Sequence, residues 1–317
     1  MARIFYLFLA AALGALSGLA QAFIWPDVEQ GACLLVIGPE QGGVKPAMLI
    51  DAGTGRSVAP EEPPHLTLRR LLEEDPRIAI RYVLLTHFHS DHYSWLATIK
   101  EAGLLAPDCE EHTRLTVEPG QVFDLGGLTV KVVVASGYAW DGERKIQVTT
   151  ATDENPLSVG LLISYGDFQL WVGGDLTSPV EVKIAPYVGD VDVYVMHHHG
   201  SYTSSSLPFL RVLRPEVVIA QLGDGNPYGH PHPSALRNVL STPDTDGDPR
   251  NGTPLILLQN AGSYAGGLSQ VYVADPDGPG GRSGLITLVT DGAGYVLVFG
   301  NETLFFPVDE RLFPASP

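Results

Sequence analysis

Residues 87–92 read His-Phe-His-Ser-Asp-His, so three histidines and one aspartate fall within six positions. Imidazole nitrogens and a carboxylate oxygen are ligands that suit zinc and tolerate manganese or iron. An exposed loop has no reason to concentrate histidine where an apolar stretch ends, and a solvated polar loop is therefore the weaker alternative. The spacing predicts a metal site whose ligands are His87, His89, Asp91 and His92.

Eight of the ten histidines fall in three short clusters. The second cluster, residues 197–199, follows another apolar stretch, and the third alternates with prolines over residues 230–233. Convergence of such clusters would supply a complete set of metal ligands. His65 and His112 stand alone, and we expect them to be ordinary surface groups.

The elements that must position these clusters are short apolar runs that predict buried strands. Residues 79–86 lead to the first cluster, 168–172 lead to Gly-Gly-Asp at 173–175, and 191–196 lead to the second cluster. Further predicted elements are a hairpin at 31–37 and 47–50, helices at 66–74 and 93–101, paired strands within 117–135, and strands at 157–164, 217–222, 255–259, 285–290 and 295–299. Strand-rich halves with interspersed helices predict stacked sheets flanked by helices.

The run 86–92 resembles the H-x-H-x-D-H signature of the metallo-β-lactamase superfamily. The resemblance implies an α/β fold of the αββα sandwich type, with two mixed sheets packed face to face and helices outside. It also implies two divalent metal ions, with zinc expected and manganese or iron as alternatives. His87 and His89 would bind one metal, and Asp91 and His92 would bind the other.

Two further aspartates match motifs of the superfamily. Asp51, in the run 49–53, would brace the metal ligands through hydrogen bonds. Asp175 stands where the superfamily places an aspartate that bridges both metals, because two cations ~3.5–4 Å apart need an anion between them. Taken alone, a Gly-Gly-Asp run after a strand is more often a turn.

The runs 198–205 and 226–233 resemble the C-terminal extracellular domain of ComEC-type DNA-uptake proteins, and the likeness extends over about residues 31–240. Phosphorylcholine esterases of the superfamily share the double-histidine turn. By this resemblance one of His198 and His199 binds metal while the other meets the substrate's anionic oxygen. We favour His199 as the ligand, and His230 would complete the shell of the second metal.

The two histidines that flank these positions receive simpler interpretations. His197 is assigned to the end of a strand, and His232 to a hydrogen-bonded loop.

The resemblance implies a metal-dependent hydrolase, and one departure favours phosphodiester substrates. β-Lactamases, lactonases and thiolester hydrolases of the superfamily place another histidine before the bridging aspartate, whereas residues 113–174 contain none. We expect a phosphodiesterase or nuclease in which a metal-bridging hydroxide attacks phosphorus, Asp91 orients the nucleophile and His198 protonates the leaving oxygen. The alternatives are a carboxyl-ester, lactone or β-lactam hydrolase, and a non-catalytic metal-stabilised binding protein.

The formal net charge of −17 restricts the partners of this chain. An acidic surface repels polyanions and offers no basic patch to counter a phosphate backbone, so stable nucleic-acid binding is not expected. A bound metal pair would nevertheless make the site locally positive. The expected substrate is a small-molecule or nucleic-acid phosphodiester.

Residues 1–22 predict a secretory signal peptide. Arg3 precedes an apolar run over 4–20, and Ala20-Gln21-Ala22 is a cleavage site of small residues. We therefore expect cleavage after Ala22 and a secreted or periplasmic protein, with an uncleaved membrane anchor as the alternative. Residues 23–317 are predicted to form one domain with a strand-rich segment at about 254–306 and no transmembrane body.

Two features stay open at this level. Cys33 and Cys109 could form a disulfide or remain free thiols, because an oxidising compartment permits either state. The acidic run Asp244–Asp248 resembles half of a calcium loop, but Pro249 stands where the loop needs glycine. A solvated loop is the better interpretation of that run.

Overall fold

The computed structural model describes residues 21–55, 62–242, 253–275 and 284–308. Within these ranges the chain forms eighteen strands, six α-helices and two short 3₁₀ segments, Asn155–Leu157 and His197–Gly200. The strands are β1 (Gln21–Trp25), β2 (Cys33–Ile37), β3 (Lys45–Ala52), β4 (Ile78–Leu85), β5 (Glu110–Thr113), β6 (Val122–Asp124), β7 (Thr129–Ala135), β8 (Tyr138–Trp140), β9 (Lys145–Gln147), β10 (Gly160–Tyr165), β11 (Phe168–Val172), β12 (Val193–Val195), β13 (Val217–Ala220), β14 (Leu255–Asn260), β15 (Val271–Asp275), β16 (Ile286–Thr290), β17 (Gly294–Phe299) and β18 (Glu302–Pro307). The helices are α1 (Pro64–Glu74), α2 (Ser90–Tyr93), α3 (Leu96–Glu101), α4 (Ser178–Val188), α5 (Leu207–Leu213) and α6 (Pro233–Leu240).

The strands form two mixed sheets. The first has eight strands in the order β18-β17-β16-β1-β2-β3-β4-β5, of which β3, β4 and β5 run parallel. The second has ten strands in the order β15-β14-β13-β12-β11-β10-β7-β8-β9, with β6 paired to β7. Strands β11 to β15 are parallel to one another.

The main core lies between the two sheets. Alternate residues of a strand face opposite sides of its sheet, so Met48 and Ile50 of β3 join this core while Ala47 and Leu49 face the other side. Because β3 is covered on both faces, its sequence is a continuous apolar run rather than an alternating one. The same split separates Phe23 from Ile24 in β1.

Helices cover the outer face of each sheet. Helices α1 and α3 pack on the first sheet through side chains that include Leu68, Leu71 and Ile99. Helices α4, α5 and α6 pack on the second sheet, where Ile184 and Phe209 join its buried side chains. The layers are therefore helix, sheet, sheet and helix, which confirms the predicted αββα sandwich.

The first strand begins at the expected signal-peptide cleavage site. Gln21 and Ala22 are buried and pair with Thr290 and Val289 of β16, so the site falls inside β1. Residues 1–20 lie outside the described ranges, and the signal peptide stays a prediction. No helix among the described residues is long and apolar enough to cross a membrane.

Cys33 is buried and Cys109 is half-buried, and both are free thiols, so the disulfide alternative is not realised in this structure. The acidic run Asp244–Asp248 falls outside the described residues.

Candidate metal centre

The site forms where strands of both sheets end. Asp51 lies at the end of β3, and His87 follows the neighbouring parallel strand β4 by two residues. In the facing sheet, Asp175 follows β11 and residues 197–199 follow β12. Strands β11 and β12 are parallel neighbours. Ligand sites in such sheets form outside the carboxyl ends of the strands, because loops from neighbouring strands converge there.

Asp175 is the carboxylate on which the imidazoles converge. Its Oδ1 lies 3.2 Å from His92 Nε2 and 3.8 Å from His199 Nε2. Its Oδ2 lies 3.6 Å from His87 Nε2 and 3.5 Å from His198 Nε2. The aspartate is 2% exposed, and four imidazoles therefore surround one buried carboxylate.

Two groups of potential ligand atoms meet in this cluster. His87, His92 and Asp175 form one group, and Asp91, His92 and His199 form the other, each with atoms within 4.8 Å of one another. Asp91 Oδ2 lies 3.6 Å from His199 Nε2, which links the first motif to the turn after β12. The structure therefore brings together residues of the first histidine cluster, Asp175 and the second histidine cluster.

Asp51 holds the first motif from behind. Its Oδ1 accepts a hydrogen bond from the backbone N–H of Thr86 at 2.7 Å, and its Oδ2 accepts one from Thr86 Oγ1 at 2.8 Å. The same Oδ2 lies 2.7 Å from His92 Nδ1. The bond fixes the ring so that Nε2 of His92 faces Asp175, and the bracing of a metal ligand by Asp51 stays a prediction.

The three consecutive histidines after β12 point in different directions. His197 Nδ1 lies 2.7 Å from Glu181 Oε1, away from Asp175. His198 Nδ1 lies 3.0 Å from Thr203 Oγ1, and its side chain is 22% exposed. His199 Nδ1 lies 2.8 Å from the carbonyl oxygen of Gln221, and the residue is 4% exposed.

The two remaining predicted ligands lie at the edge of the cluster. His89 is exposed, and its ring centroid lies 4.7 Å from that of His87. The ring centroid of His230 lies 5.7 Å from that of His198 and 6.3 Å from that of His199. Neither residue belongs to the two groups of potential ligand atoms. Each could act as a ligand only for a metal that lies on its own side of the cluster.

His232, by contrast, accepts a hydrogen bond at the start of α6 from the backbone N–H of Ser234, as a loop histidine would.

Burial and charge shift the titration of these groups. Burial and the neighbouring charge of His92 lower the pKa of His87 to about 2, so its imidazole is neutral. Burial alone would raise the pKa of Asp175, but His92, His87 and His199 hold it well below its usual value. Burial would lower the pKa of His92, but Asp175 and Asp51 raise it well above the usual value. The centre thus keeps an ionised carboxylate among imidazole rings.

The donor atoms fit divalent metal ions. Nε2 of His87, His92 and His199 and Oδ1 of Asp175 are buried and have no hydrogen-bond partner among the described residues. A buried polar atom left in that state costs about 1–3 kcal/mol, unless something else binds it. Imidazole nitrogens with one carboxylate are the ligand set that zinc takes in catalytic sites.

Several residues of this site were not predicted from the sequence. Glu181 and Trp171 hold His197, and Asn155 Nδ2 lies 3.3 Å from His198 Nε2. A lone glutamate between Val180 and Val182 was the available signal for Glu181. Its meaning depends on a fold that brings helix α4 against the turn.

The model of the metallo-beta-lactamase superfamily matches residues 26–223. The chain belongs to this superfamily. The resemblance inferred from the histidine motifs is confirmed, and the chain has the hydrolase fold of the metallo-β-lactamases. Membership implies binding of divalent metal, for which the histidine and aspartate cluster supplies the donors.

Two curated relatives align with about two thirds of this chain. Recombination protein 2 of Haemophilus influenzae is 27% identical over 223 residues, which cover 67% of this chain and 26% of that protein. Competence protein ComA of Neisseria gonorrhoeae is 30% identical over 228 residues, covering 69% of this chain and 29% of that protein. The chain thus matches less than a third of the length of each relative.

Among solved structures, the metallo-beta-lactamase fold protein YhfI of Bacillus subtilis is similar, with 11% identity and a TM-score of 0.41. The similarity covers 68% of this chain and 90% of that chain.

Proposed function

We propose that this protein is a dinuclear metal-dependent phosphodiesterase, with zinc as the expected metal. The observation that carries the proposal is the turn at 197–200, where two neighbouring histidines both face Asp175. His199 is buried like a ligand, whereas His198 is partly exposed and available to a substrate. Hydrolysis of a phosphodiester needs both a metal ligand and a proton donor, because the alkoxide leaving group requires a proton.

Two metals would divide the ligands, with the carboxylate of Asp175 available to both. His87 and His89 would hold one metal, while Asp91, His92, His199 and His230 would hold the other. The unpartnered ring nitrogens of His87, His92 and His199 support metal binding around Asp175, because each faces that carboxylate, and His92 belongs to both groups of potential ligand atoms. When bound, the metal pair supplies Lewis acidity that activates water at neutral pH and offsets charge on the phosphoryl oxygens.

The protein side chains supply the proton transfers. Burial would raise the pKa of Asp91, but His199, whose Nε2 lies 3.6 Å from Asp91 Oδ2, holds it below its usual value. Ionised Asp91 can therefore accept a hydrogen bond from the attacking water and orient it. His198, held by Thr203 at Nδ1, presents Nε2 on the Asp175 side of the cluster, where the doubly protonated ring would donate a proton to the leaving oxygen and return to its neutral form.

The substrate is proposed to be a phosphodiester of a small molecule or of a nucleic acid. The names of the two curated relatives refer to recombination and competence, which supports nucleic acid among the candidates. The net charge of −17 opposes tight binding of a long polyanion. Short or weakly held nucleic-acid substrates satisfy both observations.

The decisive experiment is hydrolysis of bis(p-nitrophenyl) phosphate by metal-stripped and zinc- or manganese-restored protein, with nitrocefin and a lactone in parallel. We expect metal-dependent phosphodiester cleavage that is lost in Asp175→Ala and retained in His112→Ala, a histidine outside the cluster. Cleavage of nitrocefin or the lactone alone would replace the substrate class with a carbonyl compound. Stoichiometric metal binding without any hydrolysis would indicate a binding protein.

We propose further that the protein is exported, because the run 1–22 has the charge and apolar pattern of a signal peptide. N-terminal sequencing of the protein recovered from the periplasm or medium tests this proposal. A mature chain that starts at Phe23 would support it, and a cytoplasmic chain that retains Met1 would contradict it.

A further inference from the structure

A buried carboxylate and imidazole pair lies behind the double-histidine turn. Glu181 on helix α4 is 0% exposed, and its Oε1 lies 2.7 Å from Nδ1 of His197, which is also 0% exposed. A charged side chain is rarely buried in this way unless it is paired and hydrogen-bonded. Neither residue lies among the groups that face Asp175. Their hydrogen bonds to the neighbouring segments therefore indicate what they do.

The hydrogen bonds of His197 fix its tautomer. Trp171 Nε1–H, which can only donate, points to His197 Nε2 at 2.8 Å. Nε2 must therefore be the acceptor, and Nδ1 carries the proton that His197 donates to Glu181. The fit is tight, because a Cβ on Gly173 would lie 2.2 Å from His197 Nε2.

Glu181 also binds the segment that follows the turn. Its Oε1 accepts a hydrogen bond from the backbone N–H of Ser205 at 2.7 Å, and its Oε2 accepts one from Ser206 at 2.8 Å. One carboxylate thus joins helix α4, the start of the turn and the chain after it. Because Thr203 belongs to the same segment, its contact with His198 Nδ1 depends on this anchorage as well.

The turn between these anchors has an unfavourable backbone. His198 and His199 both have φ of 53°, in the left-handed region that residues other than glycine rarely adopt. Such a conformation persists only where the surrounding structure fixes it. Here it directs two successive imidazoles towards Asp175 while the preceding one points into the core.

We propose that Glu181 and His197 are positioning residues that hold the left-handed turn, so that His199 meets the metal and His198 meets the substrate. The inference rests on the metal centre and hydrolysis proposed above. It assigns the three consecutive histidines to three different tasks. The first is an anchor, the second acts on substrate and the third binds metal.

Position 181 requires a carboxylate because its two oxygens accept hydrogen bonds from three donors, His197 Nδ1 and the backbone N–H groups of Ser205 and Ser206. Glutamine at position 181 would present an N–H group to at least one of three donors, so one hydrogen bond would become a repulsive contact. The turn would then relax from its left-handed conformation. Partners that orient metal-bound side chains typically change metal affinity or activity roughly 10- to 100-fold when removed.

The test compares Glu181→Gln with Glu216→Gln. Glu216 is a matched control, because it is also a buried glutamate, accepting a hydrogen bond from Tyr295 OH at 2.6 Å. It precedes β13, whereas Gln221, at the other end of that strand, contacts His199. Both substitutions should reduce thermal stability, but only Glu181→Gln should act on the metal centre.

Four readouts separate positioning from stability. In Glu181→Gln we expect zinc affinity, measured by chelator competition, to fall roughly 10- to 100-fold and the absorption bands of the cobalt-substituted protein to shift. We expect kcat to fall more than KM rises. In metal-stripped protein, amide hydrogen exchange over residues 197–206 should accelerate. Trp171→Phe removes one donor from His197 and should give smaller changes in the same direction, even if Glu181→Gln does not fold.

The outcomes distinguish this inference from the proposed function. If the wild type binds zinc and hydrolyses phosphodiesters while Glu181→Gln and Trp171→Phe match Glu216→Gln in all four readouts, the positioning role is wrong. If the wild type neither binds zinc nor hydrolyses esters, the proposed function fails. Exchange over residues 197–206 then still decides whether Glu181 and His197 hold the turn.

Discussion

Asp51 Oδ2 lies 2.7 Å from His92 Nδ1, and this bond orients the ring that stands 3.2 Å from Asp175. Asp51 itself has φ of 56°, a left-handed conformation that aspartate and asparagine tolerate better than most residues. Position 51 therefore requires a carboxylate and also a residue that tolerates a left-handed backbone conformation. A substitution can separate the two requirements.

Asp51→Asn keeps the backbone preference and removes the carboxylate. One of the three hydrogen bonds to Thr86 and His92 must then be lost, because the amide nitrogen cannot accept a hydrogen bond. We expect zinc affinity to fall roughly 10- to 100-fold, measured by competition with a chromophoric chelator. Asp124→Asn is the control, since Asp124 only accepts a bond from Gly127 in an exposed turn. Equal affinities in the two variants would contradict the bracing role.

His198→Ala and His199→Ala should separate catalysis from metal binding. His199 is buried against Asp91 and Asp175, so its loss should lower the metal content measured after dialysis. His198 is partly exposed, so its loss should leave the metal content unchanged and reduce kcat about 10²–10⁴-fold, as for removal of a proton donor. His65→Ala serves as a control outside the site. Loss of metal in His198→Ala with retention in His199→Ala would reverse the assignment.

The ligand clusters and the strands before them could be predicted because both depend on local pattern. An apolar run such as residues 47–50 predicts a buried strand whatever it packs against, and the ligand spacing 87–92 is visible within six residues. Strand β1 was not predicted, because Gln21–Trp25 pairs with β16 more than 260 residues later and its first residues look like the end of a signal peptide. Helix α4 was missed because Pro186 lies inside it.

The choice between His198 and His199 could not be derived from spacing. Their directions follow from two left-handed residues, and from anchors on α4 and β11 that are distant in sequence. The ring direction therefore depends on tertiary contacts rather than on the motif. For the same reason the sequence assigned His197 only to a strand end.

Zinc should stabilise the folded protein, because the unfolded chain does not hold the donors together. Zinc at 100 times its Kd should raise the free energy of unfolding by about 2.7 kcal/mol. Guanidinium denaturation with zinc and with a chelator measures this difference. In Asp175→Ala, which lacks the carboxylate shared by both ligand groups, the difference should nearly vanish. A zinc effect of equal size in both proteins would place the bound zinc elsewhere.

Glu29 is a buried glutamate whose acidic neighbours include Asp27 and Asp224. It is 3% exposed, and its Oε2 accepts a hydrogen bond from the backbone N–H of Asp224 at 3.0 Å. Burial and the charge of Asp27 raise its pKa to about 7, from 4.5 for an unperturbed glutamate. Between pH 4.5 and about 7, Glu29 therefore keeps its proton in the folded protein, whereas it has lost that proton in the unfolded chain.

Glu29→Gln should change the pH dependence of stability. Because the folded state binds more protons than the unfolded state, the free energy of unfolding falls as pH rises from 4.5 to about 7, and this loss is complete above that pH. Glutamine carries no charge and still offers an oxygen to Asp224 N–H. The variant should therefore be more stable than the wild type at pH 8, and its advantage should disappear towards pH 4.5. Urea denaturation across this range, with exposed Glu143→Gln as control, measures the effect. An advantage that does not vary with pH would contradict the raised pKa of Glu29.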